Sequence, residues 1–106
     1  MWRKLRALCP LARYRIEGES MTPALSAGER VFVNKVAYLF SRPRPGDLVV
    51  VRDPRQPERL LLKRIDREAG PRGWLVLGDN APGSTDSRQF GPVGRELIVG
   101  KVWFRY

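Results

Sequence analysis

A chain of 106 residues has room for one domain with a modest core and not for two. Its formal net charge of +9 admits three kinds of partner, an anionic lipid surface, an acidic substrate or nucleic acid, without choosing among them. There is no histidine and one cysteine, Cys9, which excludes Ser/His and Cys/His catalysis, an intrachain disulfide and a Cys/His zinc site, so neither metal nor cofactor is expected.

Residues 1–13 interleave apolar and basic side chains, with Trp2, Leu5 and Leu8 at rough helical spacing until Pro10 interrupts. This basic N-terminal segment is set apart from a domain over residues 14–106. It lacks the unbroken apolar core of a signal peptide, and no stretch approaches the ~18 apolar residues that span a bilayer. The expected location is cytoplasmic or peripheral to a membrane. A cationic amphipathic element here could lie on an anionic membrane surface, or simply pack on the body.

A first strand is expected over Tyr14–Glu17, delivering the chain to Ser20. Thr22-Pro23-Ala24-Leu25 reads as an N-cap with proline at the first helical position, so a short helix should follow. Arg30–Val36 alternates and contains β-branched residues, as a core strand does. The proline-rich turn Ser41–Asp47 feeds Leu48–Arg52, apolar enough to be buried on both faces. Asp53-Pro54 ends that strand, and Pro57-Glu58 turns the chain into the next one. That strand pairs with Trp74–Leu77 as a hairpin closed by Gly70–Gly73, and a last strand runs from Leu97 to Phe104. The fold class is therefore mainly β, a small antiparallel domain.

Two side chains in this frame invite a chemical reading. Ser20 sits in Gly18-Glu19-Ser20-Met21-Thr22-Pro23, beside a glycine that lets another backbone approach. A serine hydroxyl needs a base to take its proton. Of the four lysines, Lys4, Lys35, Lys63 and Lys101, only Lys63 lies in an apolar run, Leu60-Leu61-Leu62-Lys63-Arg64-Ile65. Strand alternation places Leu61, Lys63 and Ile65 on one face. A lysine in water is uncharged in only about one molecule in a thousand at neutral pH, a deficit of roughly 4 kcal/mol, and burial among apolar side chains acts to remove it. The plainer alternative is a charged guard on an edge strand.

Four boxes, Gly18-x-Ser20-Met21-x-Pro23, Arg44-Pro45-Gly46-Asp47-Leu48-Val49-Val50, Leu62-Lys63-Arg64-Ile65, and Gly78-Asp79-Asn80 with Ser84-x-Asp86-Ser87-Arg88, resemble in order and spacing those of type I signal peptidases. The resemblance implies a Ser/Lys dyad of Ser20 as nucleophile and Lys63 as general base. It implies that Ser84 orients the lysine amine and that Asp86 and Arg88 brace the adjoining loop, with Gly18 and Met21 as further supporting residues. Residue types alone allow a plainer polar turn with a local ion pair at 84–88. Gly18 stands where many members place an oxyanion-binding serine, which leaves that role to backbone N–H groups.

The chain resembles a bare catalytic core of the signal peptidase and LexA kind, without the large insertion or the membrane spans typical of the family. Short members of this sort include proteases that mature nickel-type superoxide dismutase, and the expected partner is a precursor with an N-terminal leader, that dismutase among the candidates. General processing of secretory leaders is the neighbouring reading. A self-cleaving LexA-type regulator is disfavoured because no DNA-binding region or long cleavable linker precedes the core. A basic β module for nucleic acid is disfavoured because Arg and Lys do not cluster with exposed aromatics on one sheet.

Overall fold

The computed structural model describes residues 11–16, 21–71 and 73–105. Seven strands, β1 (Leu11–Arg15), β2 (Arg30–Asn34), β3 (Leu48–Asp53), β4 (Gln56–Glu68), β5 (Gly73–Leu77), β6 (Val93–Gly94) and β7 (Ile98–Arg105), form one sheet in the order β1-β2-β7-β3-β4-β5-β6. All pairings are antiparallel, as the fold class anticipated. A one-turn helix, α1 (Ser87–Phe90), lies between β5 and β6.

The sheet buries apolar side chains on both sides, and β3 shows why. Val49 and Val51 join Tyr38, Ile65, Trp74, Val76, Val93 and Ile98 in one cluster. Val50, between them, joins Ile16, Met21, Leu25, Val31 and Val33 in the other. A run of valines is the economical way to fill two cores from one central strand.

Several boundaries differ from the expected ones for local reasons. Strand β1 begins at Leu11 rather than Tyr14, because Leu11 pairs with Asn34 at the far end of β2. No helix follows Pro23: residues 21–25 make a single turn closed by the Leu25 N–H on the Met21 carbonyl (2.9 Å), and Gly28, at φ +89°, already reverses the chain. So short a span cannot repay helix nucleation.

Strand β2 stops at Asn34, whose side-chain oxygen accepts from the Val36 N–H (3.0 Å) and bends the chain away. The turn into β4 is at Pro54-Arg55, not Pro57-Glu58, because the Asp53 carboxylate accepts from the Arg55 N–H (2.9 Å). The register then jumps from Asp53↔Gln56 to Arg52↔Leu60, and Pro57, which has no N–H to offer, falls in the bulge.

Candidate active site

Lys63 lies near the middle of β4, opposite Val49 of β3, and its neighbours on that face are Leu61 and Ile65 as alternation required. It is 2% exposed. Its Nζ donates to the Ser84 Oγ (3.0 Å), and the Ser84 hydroxyl donates in turn to Asp86 Oδ2 (2.7 Å). Because the hydroxyl proton is committed to the carboxylate, Ser84 meets the lysine as an acceptor. It fixes one N–H and leaves the nitrogen lone pair of a neutral amine unengaged.

Asp86 is fully buried and is the hub of the site. Its Oδ2 also accepts from the Gly78 N–H (2.8 Å) and the Arg88 guanidinium, and its Oδ1 accepts from the Arg88 N–H (3.0 Å) and Arg88 Nε (3.0 Å). The sequence builds this locally. Asp86 caps α1, the Gln89 side chain accepts from the Asp86 N–H (2.8 Å), and together they form a capping box. Ser87 Oγ accepts from the Val76 N–H (2.8 Å), and Arg88 also donates to the Gly78 carbonyl (3.2 Å), so α1 is clamped to the end of β5.

The electrostatics follow from burial. Desolvation lowers the Lys63 pKa, the Asp86 charge opposes this, and the Arg59 and Arg88 cations add to the lowering. Desolvation alone would raise the Asp86 carboxyl, but the Arg88 guanidinium, the Gly78 N–H, the Ser84 hydroxyl and the Arg88 N–H hold it well below the usual carboxylate range. The permanent anion is thus neutralised mainly by arginine, and the lysine meets it only through a hydroxyl.

A second brace joins the boxes. The Arg64 guanidinium donates to both carboxylate oxygens of Asp79 (2.9 Å each) and to the Gly46 carbonyl (2.9 Å), stapling the lysine strand to the turns at 46 and 78–80. Asn80 Nδ2 donates to Thr22 Oγ1 (3.2 Å), which ties the segment following residue 20 to the turn that leads to Ser84. Arg64, Asp79 and Asn80 stand within the quoted boxes without an assigned role, and Thr22, expected as an N-cap, instead accepts from Asn80. The signal was opposite charge at Arg64 and Asp79, and only the β4–β5 hairpin turns it into a contact.

The structure brings Lys63, Ser84, Asp86 and Arg88 together. Met21 is 1% exposed and packs in the core with Leu25, Val31 and Val50. Gly18 and Ser20 lie outside the described residues, as do residues 1–10 of the basic segment. Among the described residues no cluster of side chains has a metal-binding arrangement, and no helix is long and apolar enough to cross a membrane.

A family model described as signal peptidase, peptidase S26, matches residues 5–70 and 70–106. The chain belongs to the S26 signal peptidase family. Among S26-type relatives it is 36% identical to mitochondrial ATP-independent inner membrane protease subunit 1a of Arabidopsis thaliana, over 85% of this chain and 67% of that protein. It is 31% identical to mitochondrial inner membrane protease subunit 1 of Mus musculus, over 83% of this chain and 64% of that one. It is also 31% identical to signal peptidase IB of Staphylococcus aureus, over 88% of this chain and 76% of that one. The chain therefore spans about two thirds of the mitochondrial relatives' length.

Proposed function

We propose that this chain is a serine endopeptidase that removes an N-terminal leader from a precursor protein, with Ser20 as nucleophile and Lys63 as general base. One observation carries the reading: a lysine 2% exposed, its pKa lowered by burial, its Nζ held by a hydroxyl that is itself fixed on Asp86. Burial there disfavours the ammonium on balance, and the neutral amine is the form a general base at neutral pH needs.

In this mechanism the neutral Lys63 amine takes the Ser20 hydroxyl proton as Ser20 Oγ bonds to the scissile carbonyl carbon. The backbone N–H of Ser20 stabilises the oxyanion. As the carbon–nitrogen bond breaks, the Lys63 ammonium returns its proton to the leaving amine. Water then attacks the acyl-enzyme, again giving a proton to Lys63, and the new carboxyl end leaves as Ser20 recovers its hydrogen. Ser84 keeps the amine aimed throughout, and Asp86 and Arg88 keep Ser84 in place.

The leader of a nickel-type superoxide dismutase precursor is the substrate assigned first, on the strength of the short core. Cleavage of that precursor by the wild type, lost in both Ser20→Ala and Lys63→Ala, supports enzyme and substrate together. Cleavage of a secretory leader in its place retains the dyad and discards the dismutase. Cutting of either substrate by Lys63→Ala removes the mechanism.

A further inference from the structure

Lys63 and the segment that follows Ser20 are anchored on opposite faces of the sheet. Lys63 stands across from Val49, which belongs to the cluster of Tyr38, Ile65 and Trp74, so the lysine leaves β4 on that face. Met21, the residue after Ser20, is packed into the other cluster with Leu25, Val31 and Val50. For a dyad to form, serine and lysine have to meet round an edge of the sheet, and β4 offers one. Pairing of β5 with β4 ends at Leu77↔Arg64, one residue short of Lys63, and the chain turns away through Gly78, Asp79 and Asn80.

A hydrogen bond spans the gap between the two anchored segments. Asn80 holds the N-cap position of the 3₁₀ turn Ala81–Gly83, where an asparagine commonly turns its side chain back on the local backbone, yet no such cap bond forms. Its Nδ2 donates instead to Thr22 Oγ1 (3.2 Å), 58 residues away in the chain. Both ends of this contact are firmly held. Asp79, just before Asn80, takes two bonds from Arg64, the neighbour of Lys63 on β4 (2.9 Å each). Beyond Asn80, the Ser84 N–H closes the turn on the Ala81 carbonyl (3.2 Å), and Ser84 Oγ receives the Lys63 amine (3.0 Å). On the other side, the Met21 carbonyl accepts from the Leu25 N–H (2.9 Å), and Met21 is fully buried.

We propose that the Asn80–Thr22 hydrogen bond sets the distance between Ser20 and Lys63, which makes both side chains positioning residues of the cleavage. This role presupposes the Ser20/Lys63 dyad and adds to it the pair that spaces it. Only Met21 separates Thr22 from Ser20, and its side chain is locked in the core, so a displacement at Thr22 is passed on with little to absorb it. Proton transfer needs oxygen and nitrogen within about 2.6–3.2 Å, and an error of about 1 Å costs about 10²-fold. Loss of one neutral bond outside both clusters leaves the core intact, so activity should suffer more than stability.

The test is a double-mutant cycle read as kcat and KM on an internally quenched leader peptide with small residues before the junction. Thr22→Val keeps the shape of the side chain and loses its oxygen, while Asn80→Ala removes the donor. Each should lower kcat about tenfold, with KM within about twofold and the melting temperature within a few degrees, and the double variant should lose no more than either single one. The acid limb of the pH profile should stay in place, because the partners of Lys63 are untouched, and Thr22→Ser, which keeps the oxygen, should recover most of the lost kcat. Losses that multiply to about a hundredfold in the double variant, a rise in KM at constant kcat, a shifted acid limb or wild-type turnover in Thr22→Val would each overturn the positioning role. Ser20→Ala and Lys63→Ala in the same assay tell the two failures apart. If either cuts, the dyad falls and this role with it; if both are inert, those results count against the Asn80–Thr22 bond alone.

Discussion

Two places in this sheet combine a carboxylate, a hydroxyl and a lysine, and they end in opposite electrostatic arrangements. At Asp47, the Tyr38 hydroxyl donates to Oδ2 (2.7 Å) and Lys101 Nζ stands directly against Oδ1 (3.4 Å), with the lysine side chain 46% exposed. At Asp86, Arg88 takes the ion-pair position, Ser84 stands between carboxylate and lysine, and Lys63 is buried. Direct contact makes the first lysine one half of an ion pair. Burial behind a neutral hydroxyl makes the second one a candidate base. The same residue types serve both ends, and geometry alone separates them.

Substitutions that treat the two lysines alike should therefore have unlike effects. Lys63→Ala should lower kcat for leader cleavage by about 10²–10⁴-fold, the usual contribution of a general base, while Lys101→Ala stays within about threefold of wild type. Steady-state kinetics on one peptide reads both.

The carboxylates come next. Asp86→Asn leaves the Gly78 N–H and the Ser84 hydroxyl with a weaker acceptor inside the protein, and should cost about 2–4 kcal/mol in denaturant melts. Asp47→Asn, nearer solvent, should cost about 1 kcal/mol. The acid limb should differ as well. Asp86 in the folded state sits below its unfolded value, so its contribution is complete above the ordinary carboxylate range and is lost as pH falls toward the folded value. Wild type should lose stability over that window, and Asp86→Asn should show a flatter profile.

The smallest effect concerns the hydroxyls. Ser84→Ala should reduce kcat about tenfold and shift the pH profile, because the amine loses its fixed acceptor, while Tyr38→Phe should lower stability by about 1 kcal/mol and leave kcat unchanged. A Ser84→Ala enzyme with the wild-type pH profile would reduce Ser84 to packing.

Much of this contrast was legible before the fold. Period-two alternation around Lys63 put Leu61 and Ile65 beside it, and the valine run of β3 announced a strand buried on both faces. The partners of Lys63 were not legible in that way. Ser84 is 21 residues from Lys63, and only the β4–β5 hairpin and the capped turn at Asp86 bring the two within 3.0 Å. The family likeness named these residues, but spacing could not derive them.

Thr22-Pro23 misled for the converse reason. Local capping chemistry favoured a helix, but a span that closes one turn before Gly28 has nothing to propagate. Exposure at the tip of the 36–41 turn was also hidden. The core strand expected over Arg30–Val36 stops at Asn34, and of the apolar run that follows, Val36-Ala37-Tyr38-Leu39-Phe40, only Tyr38 is buried.

Direct titration of the four lysine side chains by carbon-detected NMR on protein labelled at lysine Cε tests the central claim most closely. Assignment follows from Lys63→Met and Lys101→Met. Desolvation at Lys63 requires the signal absent from Lys63→Met to titrate below the ordinary lysine value. A Lys63 signal that titrates at or above the ordinary lysine value would contradict a neutral amine at that site, and with it the base.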